Sequence, residues 1–128
     1  MRESKHFDAV AFMAAVAAQK ADVLRSFFAD DAVINWHDSN ESFTVDEYLR
    51  ANCEYPGEWQ ADVIRTELAG NTPIFVAKVY NNEGFAVYVT SFVKLEKGKI
   101  ARLDEYFADC GEPPRWRRNM NIGKPIEG

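Results

Sequence analysis

The sequence predicts an α+β domain in which helices lie against one face of a mainly antiparallel sheet. Three observations predict it. Apolar residues recur at helical spacing through the first half of the chain, whereas from about residue 59 the spacing becomes alternating. The separators between the alternating runs, Ala-Gly-Asn-Thr at 69–72, Asn-Asn-Glu-Gly at 81–84 and Glu-Lys-Gly-Lys at 96–99, are short and turn-forming, as hairpin connections are. At 128 residues the chain can enclose one hydrophobic core and not two, so residues 1–128 read as a single domain. Helices followed by a meander is the order of an α+β fold, with the helices on one face of the sheet.

The elements follow in order. Residues 5–19 carry Phe7, Val10, Ala11, Ala14, Ala15 and Ala18 at helical spacing, with Phe12 and Val16 on a neighbouring stripe. A second short helix over 22–28 presents Val23, Leu24, Phe27 and Phe28, and Asp30 and Asp31 end it. The β-branched run Ala32 to His37 reads as a strand, followed by turn chemistry at 38–42. Thr44 with Glu47 three residues on forms a capping-box pattern, which predicts a helix to about Cys53, closed by Pro56 and Gly57. Trp59–Leu68, Pro73–Tyr80, Phe85–Leu95 and Ile100–Phe107 read as four strands of a meander. The stretch from Asp109 to Gly128 reads as an irregular tail, and Trp116 suggests that it docks on the domain.

Composition removes several function classes. A net charge of -5 argues against a general affinity for nucleic acid or an anionic membrane, both of which reward a basic face. No apolar run approaches the roughly 20 residues of a membrane span, and the N-terminus has no apolar segment followed by a small-residue cleavage site, so a cytoplasmic protein is expected. Cys53 and Cys110 form no CxxC pair and are expected as reduced structural thiols. With only His6 and His37 and no ligand cluster, neither a metal nor another cofactor is expected. The one basic cluster, Arg-Trp-Arg-Arg at 115–118, is expected to pair with the protein's own acidic surface or with a second subunit.

The order of these elements, with Phe-Ala-Asp-Asp-Ala at 28–32 and Gly-Lys-Ile at 98–100 leading to Tyr106-Phe107, resembles the NTF2-like superfamily, in particular its SnoaL-like branch. The resemblance spans roughly residues 7–108. It implies a cone in which a strongly curved sheet wraps N-terminal helices in its concave face around an internal pocket, and it implies a homodimer through the outer face of the sheet. Relatives include ketosteroid isomerase, limonene epoxide hydrolase and polyketide cyclases alongside non-catalytic binding domains, so the fold leaves function to the pocket residues. The isomerase's general base falls at Trp36, its oxyanion-hole tyrosine near Phe12 and its protonated aspartic acid near Thr90. None of those functional groups is retained, which rejects that specific activity. The pocket carboxylate of epoxide hydrolase-like relatives falls at Glu105, but residues 73–82 contain no Arg-x-Asp to complete that enzyme's triad.

Asp104 and Glu105 are adjacent on a strand, so only one of them faces the interior. The resemblance implies Leu103, Glu105 and Phe107 facing inward and Asp104 outward. Period-two counting adds Ile34, Trp36 and Asp38 from one strand and Tyr88, Thr90 and Phe92 from another, with Tyr48 or Trp59 at the mouth. Together they describe an aromatic cavity with a single carboxylate at its floor, suited to a small apolar or cyclic molecule. Burial among rings would raise the pKa of Glu105 and let it move a proton near neutral pH. The alternatives stay open: a carboxylate satisfied by Tyr88, Thr90 or an arginine, Trp36, Tyr88 and Phe92 as core, Asp38 as a turn former, and His37 as a surface or interface residue. The functional expectation is a cofactor-independent lyase, isomerase or hydrolase using Glu105. A non-catalytic ligand-binding or interaction module is the alternative.

Overall fold

The computed structural model describes residues 7–126. Lys5 and His6, the first two residues of the helix expected over 5–19, and the last two residues of the tail expected over 109–128 lie outside them. The first helix, α1 (Ala9–Ala18), starts at Asp8, whose carboxylate accepts from the Ala11 amide at 3.0 Å, and ends at Gln19 in the left-handed conformation. Its buried residues are Ala9, Phe12, Met13 and Ala15, whereas Val10, Ala11, Ala14 and Ala18 face solvent. The expected stripe is therefore corrected. Every residue of Ala-Val-Ala-Phe-Met-Ala-Ala-Val-Ala-Ala is apolar, so periodicity had no polar face against which to choose, and the bulk of Phe12 and Met13 decided.

A short helix, α2 (Ala21–Arg25), buries Leu24. It ends earlier than expected, because Phe28 already belongs to the strand β1 (Phe28–Trp36) and pairs with Ile100. The 38–42 stretch is likewise corrected: a turn is followed by a three-residue strand, β2 (Glu41–Phe43), antiparallel to β1. The helix α3 (Val45–Cys53) opens on the capping box, with Thr44 Oγ1 accepting from the Glu47 amide at 3.2 Å and Glu47 Oε1 accepting from the Thr44 amide at 2.9 Å.

The meander comprises β3 (Gln60–Ala69), β4 (Thr72–Tyr80), β5 (Ala86–Glu96) and β6 (Lys99–Asp109). The open sheet has the order β2-β1-β6-β5-β4-β3, antiparallel throughout except where β1 runs parallel to β6. The helices α1 and α3 cover the inner face of this α+β cone, α1 chiefly over β3 and α3 over β1. Between them lies a core of interlocking rings: Phe12 has Phe7, Phe27, Phe28 and Phe75 at centroid distances of 5.3 to 6.1 Å.

One irregularity sets which side chains reach the interior. The β5–β6 turn, Lys97-Gly98, has both φ angles positive, the geometry of a tight hairpin turn, and pairs Glu96 with Lys99 and Leu95 with Ile100. The next pair is Lys94 with Arg102, so β6 carries an extra residue at Ala101. This bulge reverses the alternation beyond it: Ile100, Leu103 and Glu105 all face inward. Strict counting from Ile100 would have turned Arg102 and Asp104 into the core.

The tail is not wholly irregular, since α4 (Arg115–Arg118) follows Pro114. Trp116 is 64% exposed and so does not dock on the domain, and Arg118 pairs with Glu112 of the same segment. Cys53 and Cys110 are both free. Among the described residues no helix is long and apolar enough to cross a membrane, and no group of His, Cys, Asp and Glu could hold a metal ion.

Candidate functional site

Between α1, α3 and the inner face of the sheet lies a cavity of about 450 Å³, within the range of small-molecule sites. Trp36, Asp38, Tyr48, Trp59, Glu105 and Phe107 line it. Six other residues do not. Phe12, near the position of the relatives' oxyanion-hole tyrosine, and Ile34 and Leu103 are fully buried core residues that do not reach the cavity surface. Tyr88, Thr90 and Phe92 lie on the opposite face of β5, where Tyr88 is 41% and Phe92 38% exposed. Val87, Val89 and Ser91 face inward instead.

The reason for the β5 correction is that this strand is apolar on both faces, aromatic outside and valine inside, so alternation could not say which face was which. Residues directly opposite on paired strands share a face, but counting straight from the Lys97-Gly98 turn sets Thr90 against Glu105, and only the bulge puts Ser91 opposite Glu105 and Val89 opposite Phe107. Also unanticipated were Tyr55 and Phe85 at the mouth, where Trp59 stacks on Tyr55 and meets Phe85 edge-on, both at 5.4 Å. Gly57, at φ 119°, allows this close approach, because a Cβ there would come within 3.1 Å of the Trp59 ring. Gln19, also missed, clamps α1 to the end of α3 by donating from Nε2 to the carbonyls of Asn52 and Tyr55.

Glu105 sits at the floor and is 4% exposed. Its Oε2 accepts from the Ser91 hydroxyl at 2.6 Å and its Oε1 from the Trp36 indole Nε1 at 3.2 Å. Removal from water pushes its pKa up to about 7, while those two hydrogen bonds favour the charged form and moderate the rise. Tyr48 reaches the same cavity from α3. Burial raises its phenol pKa well above the ordinary value, and the nearby Glu105 charge, then Cys53, raise it further, so the phenol stays protonated. The floor thus combines a carboxyl poised between its two forms with a neutral hydroxyl.

Asp104 faces the other way. Burial pushes its pKa up, but hydrogen bonds from Arg102, Asn35 and His37 outweigh that and hold it at about 2, an anion at neutral pH. His37 closes this outer cluster by stacking on Tyr106 at 4.4 Å. Asp38 holds the Phe107 amide through Oδ1 at 3.2 Å, tying the end of β1 to β6 across the cavity rim.

No family model and no curated protein matches the chain. Solved structures do. A candidate ketosteroid isomerase of Kribbella flavida DSM 17836 superposes with a TM-score of 0.79 at 22% identity, over 98% of this chain and 93% of its own. An NTF2-like protein of Burkholderia xenovorans LB400 gives 0.73 at 25% identity, over 97% and 94%. A protein of Catenulispora acidiphila DSM 44928 with a ketosteroid isomerase-like fold, solved in complex with trimethylamine, gives 0.65 at 16% identity, over 78% and 84%. The chain has the NTF2-like fold, an open α+β cone whose helices lie in the concave face of its sheet.

Proposed function

We propose that this protein binds a small molecule in the cavity above Glu105 and transforms it by proton transfer, as a cofactor-independent lyase, isomerase or hydrolase. One observation carries the reading: among the described residues Glu105 is the one buried carboxyl, and it lies at the floor of an aromatic cavity, where removal from water raises its pKa to about 7. Proton transfer is most efficient when the group's pKa lies near the working pH. Tyr48 supplies a neutral donor for an oxygen on which charge develops, and the surrounding rings exclude water and orient the ligand. The complex of the Catenulispora protein with trimethylamine supports small-molecule occupancy in a fold of this kind.

A second reading, ligand binding without chemistry, is favoured by the fact that both Glu105 oxygens already accept hydrogen bonds. The two separate experimentally. Ligand co-purified with the protein is identified by mass spectrometry and incubated with it in D2O. Catalysis predicts a product or deuterium incorporation, with Glu105→Gln slowing either by about 10² to 10⁴-fold. Unchanged ligand at full occupancy, or a fully active Glu105→Gln, overturns the enzymatic assignment.

We infer also that two copies pair through the outer face of the sheet. Tyr88, Phe92 and Tyr106 are 38 to 45% exposed there, and Phe92 meets Tyr106 at 5.9 Å, beside the polar cluster around Asp104. Phe92→Asp is expected to halve the molar mass measured by light scattering. A wild-type monomer, or a variant that remains dimeric, excludes this surface.

A further inference from the structure

We infer that the ligand of this cavity is a lipophilic amine, its tertiary or quaternary ammonium group set against Glu105 and the surrounding rings and its apolar body against the helix-lined wall. This rests on the small-molecule reading above and names the chemical class.

Charge selects a cation. Phenols apart, every ionisable side chain among the described residues lining the cavity is acidic: Asp38, Glu41 and Glu105, with no lysine, arginine or histidine. A ligand anion would meet three carboxyl groups and no cation. Low-dielectric walls focus such a field toward the floor, and the two rim carboxylates, both exposed, lead inward to Glu105 at 4% exposure. Each rim group has one oxygen engaged, Asp38 with the Phe107 amide and Glu41 with the Ser39 hydroxyl at 2.7 Å.

The surface around the floor carboxyl selects a weakly hydrated one. Trp36 meets both Tyr48 and Phe107 edge-to-face, at 6.2 and 5.5 Å, and all three line the cavity. Aromatic faces carry negative potential, and such an arrangement beside a carboxylate is how weakly hydrated ammonium groups are held. A neutral apolar ligand would fill the space but give no counter-charge to the ionised form of Glu105. A cation offsets the cost of ionising it. Met13, Val16, Val87 and Val89 supply the apolar wall for the rest of the molecule.

Of the titratable groups that line the cavity with Glu105, Tyr48 on α3 is close enough to feel its charge and also that of Cys53, while Tyr55 follows α3 and Asp38 and Glu41 stand at the rim; β5 contributes the Ser91 hydroxyl and β1 the Trp36 indole. No basic group among them would take the place of the ligand's charge.

Benzyltrimethylammonium, its neutral carbon isostere neopentylbenzene and the anion 3-phenylpropanoate are titrated against the intact protein, with tryptophan fluorescence as the readout. The cation is expected to bind about tenfold or more tighter than the isostere, the anion not measurably, and Glu105→Gln to erase the preference while still binding the isostere. The wild-type protein supplies an independent measurement should the variant fold poorly. The charge of this ligand does not titrate, so its affinity should rise about tenfold from pH 5.5 to 8.5 as the Glu105 carboxylate forms. Equal or tighter binding of the isostere or the anion overturns the amine class and leaves the small-molecule cavity standing. An affinity for the cation that is flat with pH overturns the role given to Glu105. Absence of binding by all three overturns the amine class and counts against the cavity as a small-molecule site.

Discussion

Between pH 4.5 and 8 the wild-type protein is expected to lose about 3 kcal/mol of stability through Glu105 alone, and Glu105→Gln is expected to abolish that loss. In the folded protein the carboxyl keeps its proton up to about pH 7, because burial disfavours the charge, whereas in the unfolded chain it ionises at its ordinary value of 4.5. Within that window the folded state binds more protons, so raising the pH favours unfolding. The contribution is complete below about 4.5 and gone above about 7. Asp104 acts with the opposite sign in a separate window: its folded pKa is depressed to about 2, so its stabilisation is lost only as the pH falls below 3.8. The amide introduced by Glu105→Gln would retain one acceptor oxygen for Ser91 or Trp36 but not two, a cost of about 1 kcal/mol at every pH. At pH 8 the variant should therefore be the more stable protein by about 2 kcal/mol. Urea unfolding of both proteins across pH 5 to 8.5 measures this. Parallel pH profiles would mean that Glu105 is not held protonated by burial.

Phe12→Ala is expected to cost about 4 kcal/mol. Phe12 is fully buried, with four phenylalanine rings against it, one each from the chain before α1, the α2–β1 junction, β1 and β4. Truncation removes the transfer energy of the ring and leaves a void where helix and sheet meet, and rigid rings collapse poorly into such a space. Equilibrium denaturation measures it at a pH where Glu105 is protonated. A loss under about 1 kcal/mol would mean that the neighbours close over the gap, and that Phe12 is not the keystone of this core.

How much of this was legible in the chain depended on whether a segment has one polar face. The α3 helix could be read from Thr44 and Glu47, because capping is a local interaction between residues three apart. The meander could be read from its turns, since Lys97-Gly98 and its counterparts force a reversal whatever lies beyond. The inward face of α1 could not, because all ten of its residues are apolar. The inward face of β5 could not either, because Tyr88 and Phe92 look as much like pocket walls as Val87 and Val89. The start of β1 was hidden because Phe27 and Phe28 continue the apolar spacing of α2, and only pairing with Ile100 draws Phe28 into the sheet. The three residues of β2 carry no pattern of their own and become a strand because β1 offers them an edge.

By itself the sequence determined the fold class and the antiparallel meander, since these follow from local periodicity and turn chemistry, whereas Glu105 as the inward acid came only from family resemblance. Tertiary structure alone decided what surrounds that acid. The bulge at Ala101 sets the phase of β6, the pairing of β5 with β6 brings Ser91 rather than Thr90 to Glu105, and the parallel pairing of β1 brings the Trp36 indole to its other oxygen. Those contacts join residues far apart in the chain, and a single inserted residue reverses which side chains make them.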